Sequence, residues 1–178
     1  MLLKDYSFNF EDMNLKDILV NFKFYPEKFD IQKECGRISQ FILDLFCFSE
    51  NNDNWVRLYY ILNELLSNCV NFSFSGEPVE FKFYRINEKE IIIDFLNYSS
   101  FENIDLLEDY VEKNIRRYNP HIFSENLMKN KKGGIGLLTL KENHKIDLGF
   151  KINLLKRCGL VTVQAKFNLK DFVDENIV

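Results

Sequence analysis

The chain has too few residues of several types to belong to some common classes of protein. Its 178 residues include only 7 glycines, 3 prolines, 4 cysteines and 2 histidines. No apolar run reaches the ~18 residues that a membrane-spanning helix needs, and the polar N-terminus does not resemble a signal peptide. Cys35, Cys47, Cys69 and Cys158 form no CxxC pair, which favours buried reduced thiols over a zinc site. We therefore expect a cytoplasmic protein that makes no use of a membrane.

An excess of basic residues is also missing. The formal net charge is −4, and the lysines and arginines are scattered rather than gathered into one stripe, so nucleic acid is not an expected partner. Hydrophobic residues make up 46% of the chain and include 18 phenylalanines, which is ample material for a core. The length suits a single domain over residues 1–178.

Apolar periodicity divides the chain into helices and strands. The predicted strands lie at 17–25, 79–86, 90–97, 146–155 and 160–169. The predicted helices lie at 31–48, capped by Asp30, at 55–73, capped by Asn54, within a largely helical region at 101–130, and after the glycines at 133–136. Strands arriving in hairpins with helices between them predict an α+β fold. We expect a two-layer sandwich, with helices on one face of a mixed, mainly antiparallel sheet.

Two motifs carry the functional argument. The first is Glu64-Leu65-Leu66-Ser67-Asn68-Cys69, in which the carboxylate and the amide stand at i and i+4 and therefore project side by side from one helix. The second is Gly134-Ile135-Gly136-Leu137, whose glycines would let the backbone approach phosphate oxygens while the next helix points its N-terminal amides at them. Taken alone, the first motif also fits a solvated helix face, and the second is a weak phosphate signal.

In this order the two motifs resemble the N-box and G2 box of the Bergerat-fold (GHKL) ATPases, a superfamily that includes histidine-kinase ATP domains and anti-sigma-factor kinases. The resemblance implies that ATP and Mg²⁺ bind here, with Asn68 as the metal ligand and Glu64 as the general base. It also implies phosphate contacts from Lys132, Gly134, Gly136 and Leu137, and an ATP lid over residues 98–132. The superfamily often has a further glycine where this chain has Leu138.

The superfamily's third motif, an Asp-x-Gly at the end of a strand, is altered here because Asp94 is followed by Phe95 and Leu96. If Ile91, Ile93 and Phe95 face the helices, strand alternation puts Asn97 next on the same face and Asp94 on the other. We therefore expect Asn97 to contact adenine through its amide, although an asparagine that starts a turn is also consistent with the sequence. Thr162 lies where the superfamily often has a threonine near the adenine pocket, and a simple strand threonine is the other reading.

The whole chain resembles the small partner-switching kinases of the SiaB type. That resemblance implies a protein serine/threonine kinase that phosphorylates a small STAS-like or SiaC-like antagonist protein, with a sigma factor as a further candidate partner and a homodimer as one expected assembly. Histidine-kinase activity is less expected because residue 72, often histidine in the N-box, is phenylalanine. The alternative from another class is a protein-binding regulator that kept the fold and lost catalysis, which the altered third motif would favour.

Overall fold

Five strands form one antiparallel sheet in the structure, a computed structural model that describes residues 18–45, 52–85, 90–116 and 135–168. The strands are β1 (Ile18–Phe24), β2 (Val79–Arg85), β3 (Glu90–Ser99), β4 (Asp147–Leu154) and β5 (Gly159–Asn168). They lie in the order β1-β2-β3-β5-β4, and every neighbouring pair is antiparallel. The α+β class is confirmed. The sheet is antiparallel throughout the described strands, where the sequence left room for a mixed one.

Four α-helices and two shorter helical segments accompany the sheet within the described ranges. The helices are α1 (Ile31–Leu45), α2 (Asn52–Asn71), α3 (Phe101–Tyr110) and α4 (Ile135–Asn143). A 3-10 turn spans Pro26–Lys28, and a π-helical segment, Val111–Arg116, continues directly from α3. None of the helices in these ranges is long and apolar enough to cross a lipid bilayer.

Side-chain caps fix where two of the helices begin. The Asp30 carboxylate accepts a hydrogen bond from the Lys33 backbone nitrogen at 3.2 Å, which confirms Asp30 as the predicted cap of α1. The Ser100 hydroxyl accepts from the Asn103 nitrogen, also at 3.2 Å, and starts α3 one residue after β3 ends. The prediction that Asn54 caps α2 is wrong, because that helix already begins at Asn52 and Asn54 lies in its first turn, 8% exposed.

The hydrophobic core lies between one face of the sheet and the helices. Alternate residues of β2, β3 and β5 point into it, as the period-2 pattern of the strands requires. The buried apolar side chains of α1, α2 and α4 belong to the same cluster, with the exception of Leu138. Cys35 and Cys69 are buried in the core as free thiols, and burial raises the pKa of each to about 12. Cys47 lies outside the described residues.

Candidate functional site

Glu64 and Asn68 stand on the polar side of α2, opposite the stripe that packs into the core. The buried stripe consists of Leu58, Ile61, Leu62, Leu65, Leu66 and Cys69. Glu64 and Asn68 lie one turn apart on the other side, and both are half-buried. The amphipathic helix therefore presents a carboxylate and an amide together, as the i and i+4 spacing predicts.

Gly136, in the first turn of α4, lies directly against the Glu64 carboxylate. A Cβ atom built on Gly136 would overlap a carboxylate oxygen of Glu64 and would come within 2.8 Å of its Cδ. Only a residue without a side chain leaves room for this contact. The two motifs identified in the sequence, more than 70 residues apart in the chain, thus meet in space.

The Glu64 carboxylate has an unusual environment. Burial raises its pKa above the ordinary value of 4.5. Within the described part of the chain, its side chain has no hydrogen-bond or ion-pair partner. A partly desolvated, unpaired carboxylate is the state expected of a general base, since its affinity for a proton is increased and its oxygens remain available.

Asn68 is available as a ligand. Its backbone carbonyl accepts the Phe72 nitrogen at 3.0 Å, as a helical residue's should. Its side-chain amide makes no hydrogen bond to any of the residues that the structure describes. The same residues contain no group of three or more histidine, cysteine, aspartate or glutamate side chains that could hold a metal ion. A magnesium ion at this helix would therefore need Asn68 together with oxygens from a ligand.

The first turn of α4 supplies backbone donors beside Glu64. The first N–H groups of any helix have no partner within the helix, and here they belong to the residues that begin at Ile135. Leu137 is 9% exposed and belongs to the core, so its backbone amide rather than its side chain is what it can offer to a phosphate. Lys132 and Gly134, the other two predicted phosphate contacts, lie outside the described residues.

Asn97 lies near the end of β3 and faces the helices. Ile91, Ile93, Phe95 and Asn97 share one face of the strand, as alternation predicted, and Asn97 is 3% exposed. Its amide nitrogen donates to the backbone carbonyls of Phe72 at 3.3 Å and Tyr98 at 3.4 Å. Ser99 donates to the same Phe72 carbonyl at 2.8 Å. Asn97 does not start a turn, because β3 continues to Ser99, and its nitrogen ties the strand to the C-terminal end of α2.

Thr162 and Asp94 lie on the other face of the sheet. Asn97 pairs with Val161, and Thr162 pairs with Leu96, so Thr162 points away from the face that carries Asn97. Asp94 accepts a hydrogen bond from Gln164 at 3.0 Å on that outer face. The structure therefore brings Glu64 and Gly136 together beside Asn68 and places Thr162 apart from them.

Four residues that the motifs did not single out also join α2 to α4. Arg57 donates to the backbone carbonyl of His144 at 2.6 Å. The His144 ring stacks on Tyr60 with the ring centroids 5.0 Å apart, and the Tyr60 hydroxyl hydrogen-bonds with the side chain of Thr139. The sequence signal that could have found Arg57 and Tyr60 is their spacing from Glu64, because positions 57, 60 and 64 are separated by three and four residues and share one helix face.

The fold and these contacts define a class: an α+β domain with an antiparallel sheet, in which a carboxylate-bearing helix meets a second helix whose first turn contains Gly136. A chain in the crystal structure of the SiaB–SiaC complex from Pseudomonas aeruginosa has a similar fold. The TM-score is 0.66 at 12% sequence identity, and the match covers 85% of this chain and 91% of the other. At that identity the similarity shows the fold alone. No protein-family model matches the chain, and no curated protein matches it in sequence.

Proposed function

We propose that the protein is an ATP- and Mg²⁺-dependent serine/threonine kinase of a partner-switching system, built on a Bergerat-type ATP-binding fold. The observation that carries the proposal is the contact between the partly buried Glu64 carboxylate and Gly136 at the start of α4. Such an arrangement places a proton acceptor beside the first-turn backbone amides of α4, and phosphoryl transfer needs both kinds of group.

Each residue has one role in the proposed reaction. Asn68 would hold Mg²⁺, which would supply positive charge to the nucleotide phosphates, and the amides at Gly134, Gly136 and Leu137 would bind phosphate oxygens, with Lys132 adding charge. Glu64 accepts the proton of a serine or threonine hydroxyl while that oxygen attacks the γ-phosphorus and ADP leaves. Asn97 has its nitrogen engaged with backbone carbonyls, which leaves its side-chain oxygen to accept from the adenine amino group.

The proposed substrate is a small antagonist protein of the SiaC or STAS type. The support is the similarity of this fold to a chain that was crystallised in a complex of SiaB with SiaC. The test mixes the purified chain with such a partner, Mg²⁺ and γ-labelled ATP. We expect label on a serine or threonine of the partner and a loss of at least 100-fold in rate for Glu64→Gln, the scale at which a general base contributes. No transfer by the wild-type chain would refute the kinase.

The second candidate is a binding module that sequesters its partner without phosphorylating it. It is favoured by Asn97, an uncharged residue whose amide nitrogen already serves the junction of β3 and α2. Thermal melting with Mg-ATP separates the two candidates. A nucleotide at 100 times its dissociation constant stabilises a protein by about 2.7 kcal/mol, so an unchanged melting temperature favours the binding module.

A further inference from the structure

The polar contacts between α2 and α4 follow both helices from one end of their junction to the other. Gly136 meets Glu64 near the start of α4, and His144, one residue past its end, meets Arg57. From 64 back to 57 is seven residues and from 136 to 144 is eight, which at ~1.5 Å per residue are nearly equal lengths. The two helices therefore run antiparallel, in a register marked at both ends.

Two side chains of α2, Arg57 and Tyr60, contact α4 and the residue after it at points away from Glu64. Arg57 donates to the His144 carbonyl, so its cation sits at the C-terminal end of α4, where the helix dipole favours positive charge. Tyr60 contacts α4 twice, through its ring on His144 and through its hydroxyl on Thr139. Arg57, Tyr60, Thr139 and His144 together are called the α2–α4 seam below.

The helix α4 depends on its neighbours for its position. It has nine residues, too few for a stable isolated helix. Its buried leucines at 137, 138 and 140 supply apolar contact, and apolar contact has little directional preference. Directional bonds therefore set where α4 lies, and the seam supplies those that join it to α2, while Lys141 bonds separately to the Ile115 carbonyl at 3.2 Å. A displacement of α4 by even one residue would move Gly136 away from Glu64.

We infer that Arg57 and Tyr60 are positioning residues, which hold α4 in register on α2 so that Gly136 and the first-turn amides stay beside the Glu64 carboxylate. The kinetic consequence rests on the proposed kinase function. The structural consequence, a fixed α4, does not depend on it.

The first arm of the test measures hydrogen exchange at the α4 amides 136–143. The variants are Arg57→Gln, which removes the cation, and Tyr60→Phe, which keeps the ring and removes the hydroxyl. We expect each to speed exchange in α4 about fivefold, the effect of losing one hydrogen bond, with the strands unchanged. The matched control is Val56→Ala, an exposed neighbour on the same helix, which should leave α4 exchange as it is. Equal exchange in α4 for Arg57→Gln, Tyr60→Phe and wild type would overturn the inference.

The second arm measures steady-state transfer with ATP varied. Because the seam positions phosphate-binding amides and supplies no reacting group, we expect Arg57→Gln and Tyr60→Phe to raise KM for ATP about fivefold, with kcat within twofold of wild type. Arg57→Lys should recover part of the loss because it restores the charge without the forked geometry. A fall in kcat with KM unchanged would contradict the positioning role. If wild type neither binds nor uses ATP, the kinase proposal fails. The hydrogen-exchange arm still tests whether Arg57 and Tyr60 hold α4 in position.

Discussion

At the scale of single residues, the contact between Glu64 and Gly136 explains why a side chain at position 136 would matter. A methyl group there would meet the end of a flexible side chain, which can rotate away. Alanine also favours the helix over glycine by roughly 0.5–1 kcal/mol. The two effects oppose each other in stability, but the carboxylate would be displaced in either case.

We therefore predict that Gly136→Ala changes the free energy of unfolding by less than about 1 kcal/mol and still weakens nucleotide binding. The comparison is Gly159→Ala, whose Cβ would overlap the tip of Ile104, a core residue 3% exposed. Overpacking of that kind costs about 1–3 kcal/mol. Urea denaturation of both variants measures the difference. A Gly136→Ala variant destabilised as much as Gly159→Ala would show that Glu64 cannot move.

The Glu64 carboxylate, which is partly buried and has no partner among the described residues, should cost stability at neutral pH. Burial raises its pKa in the folded chain above 4.5, so the folded state binds its proton more tightly than the unfolded state does. Stability linked to this group is present below about pH 4.5 and is lost as the pH rises through the folded-state pKa. Glu64→Gln should therefore melt at a higher temperature than wild type at pH 7 and lose that advantage at pH 4. A variant less stable than wild type at pH 7 would mean that the charge has a partner.

Asn97 is suited to its place by its amide nitrogen. An aspartate would restore the acidic residue of the superfamily's third motif, but it would set a carboxylate against the Phe72 and Tyr98 carbonyls in place of a donor. We predict that Asn97→Asp destabilises the fold by about 1–3 kcal/mol at pH 7, measured by denaturant unfolding. If Asn97→Asp left the stability unchanged and tightened ATP binding, position 97 would instead be an adenine-binding site that a carboxylate serves better than an amide.

At the scale of elements, the sequence predicted much of the fold because its signals are local. The antiparallel pairs β2–β3 and β4–β5 follow from alternating β-formers around short polar segments, and the observed strand bounds differ from the predicted ones by at most two residues. The helix α2 follows from its period of 3.6. Its start was misjudged because Asn54 fits a cap by residue type alone, whereas the helix already begins at Asn52.

Other features of the site could not be predicted from the sequence. Thr162 was assigned by motif position, but strand register decides the face, and register depends on pairing with β3. The π-helical turn at Val111–Arg116 has no simple sequence signal. The α2–α4 seam joins Arg57 to a backbone carbonyl 87 positions away, and no residue type marks such an acceptor.

The N-cap of α3 gives a prediction at this scale. Ser100 satisfies the Asn103 nitrogen at the point where the chain leaves β3 and turns into α3. We predict that Ser100→Ala costs about 1 kcal/mol, seen as a lower melting temperature and faster exchange in α3. Ser75→Ala, in an exposed turn, serves as the control and should be neutral. Equal melting of the two variants would show that the cap contributes nothing.

At the scale of the whole molecule, the fold is similar to that of the SiaB–SiaC complex chain although only 12% of residues are identical. Cores tolerate extensive substitution when volume and pattern are kept, so two chains can share a fold at low sequence identity. The contact of a helix carboxylate with a glycine at the next motif is more specific than the fold. The proposed kinase function rests on this contact, because it places a proton acceptor beside the first-turn amides of α4.

The most direct test of the account is calorimetric titration of Mg-ATP into the purified chain. We predict saturable binding that requires Mg²⁺, that EDTA abolishes, and that Asn68→Ala weakens at least tenfold because the ion loses its only ligand from α2. The Val56→Ala variant should bind as wild type does. Absence of binding at millimolar nucleotide, or binding that depends on neither Mg²⁺ nor Asn68, would contradict the proposal that α2 and α4 enclose a magnesium–nucleotide site.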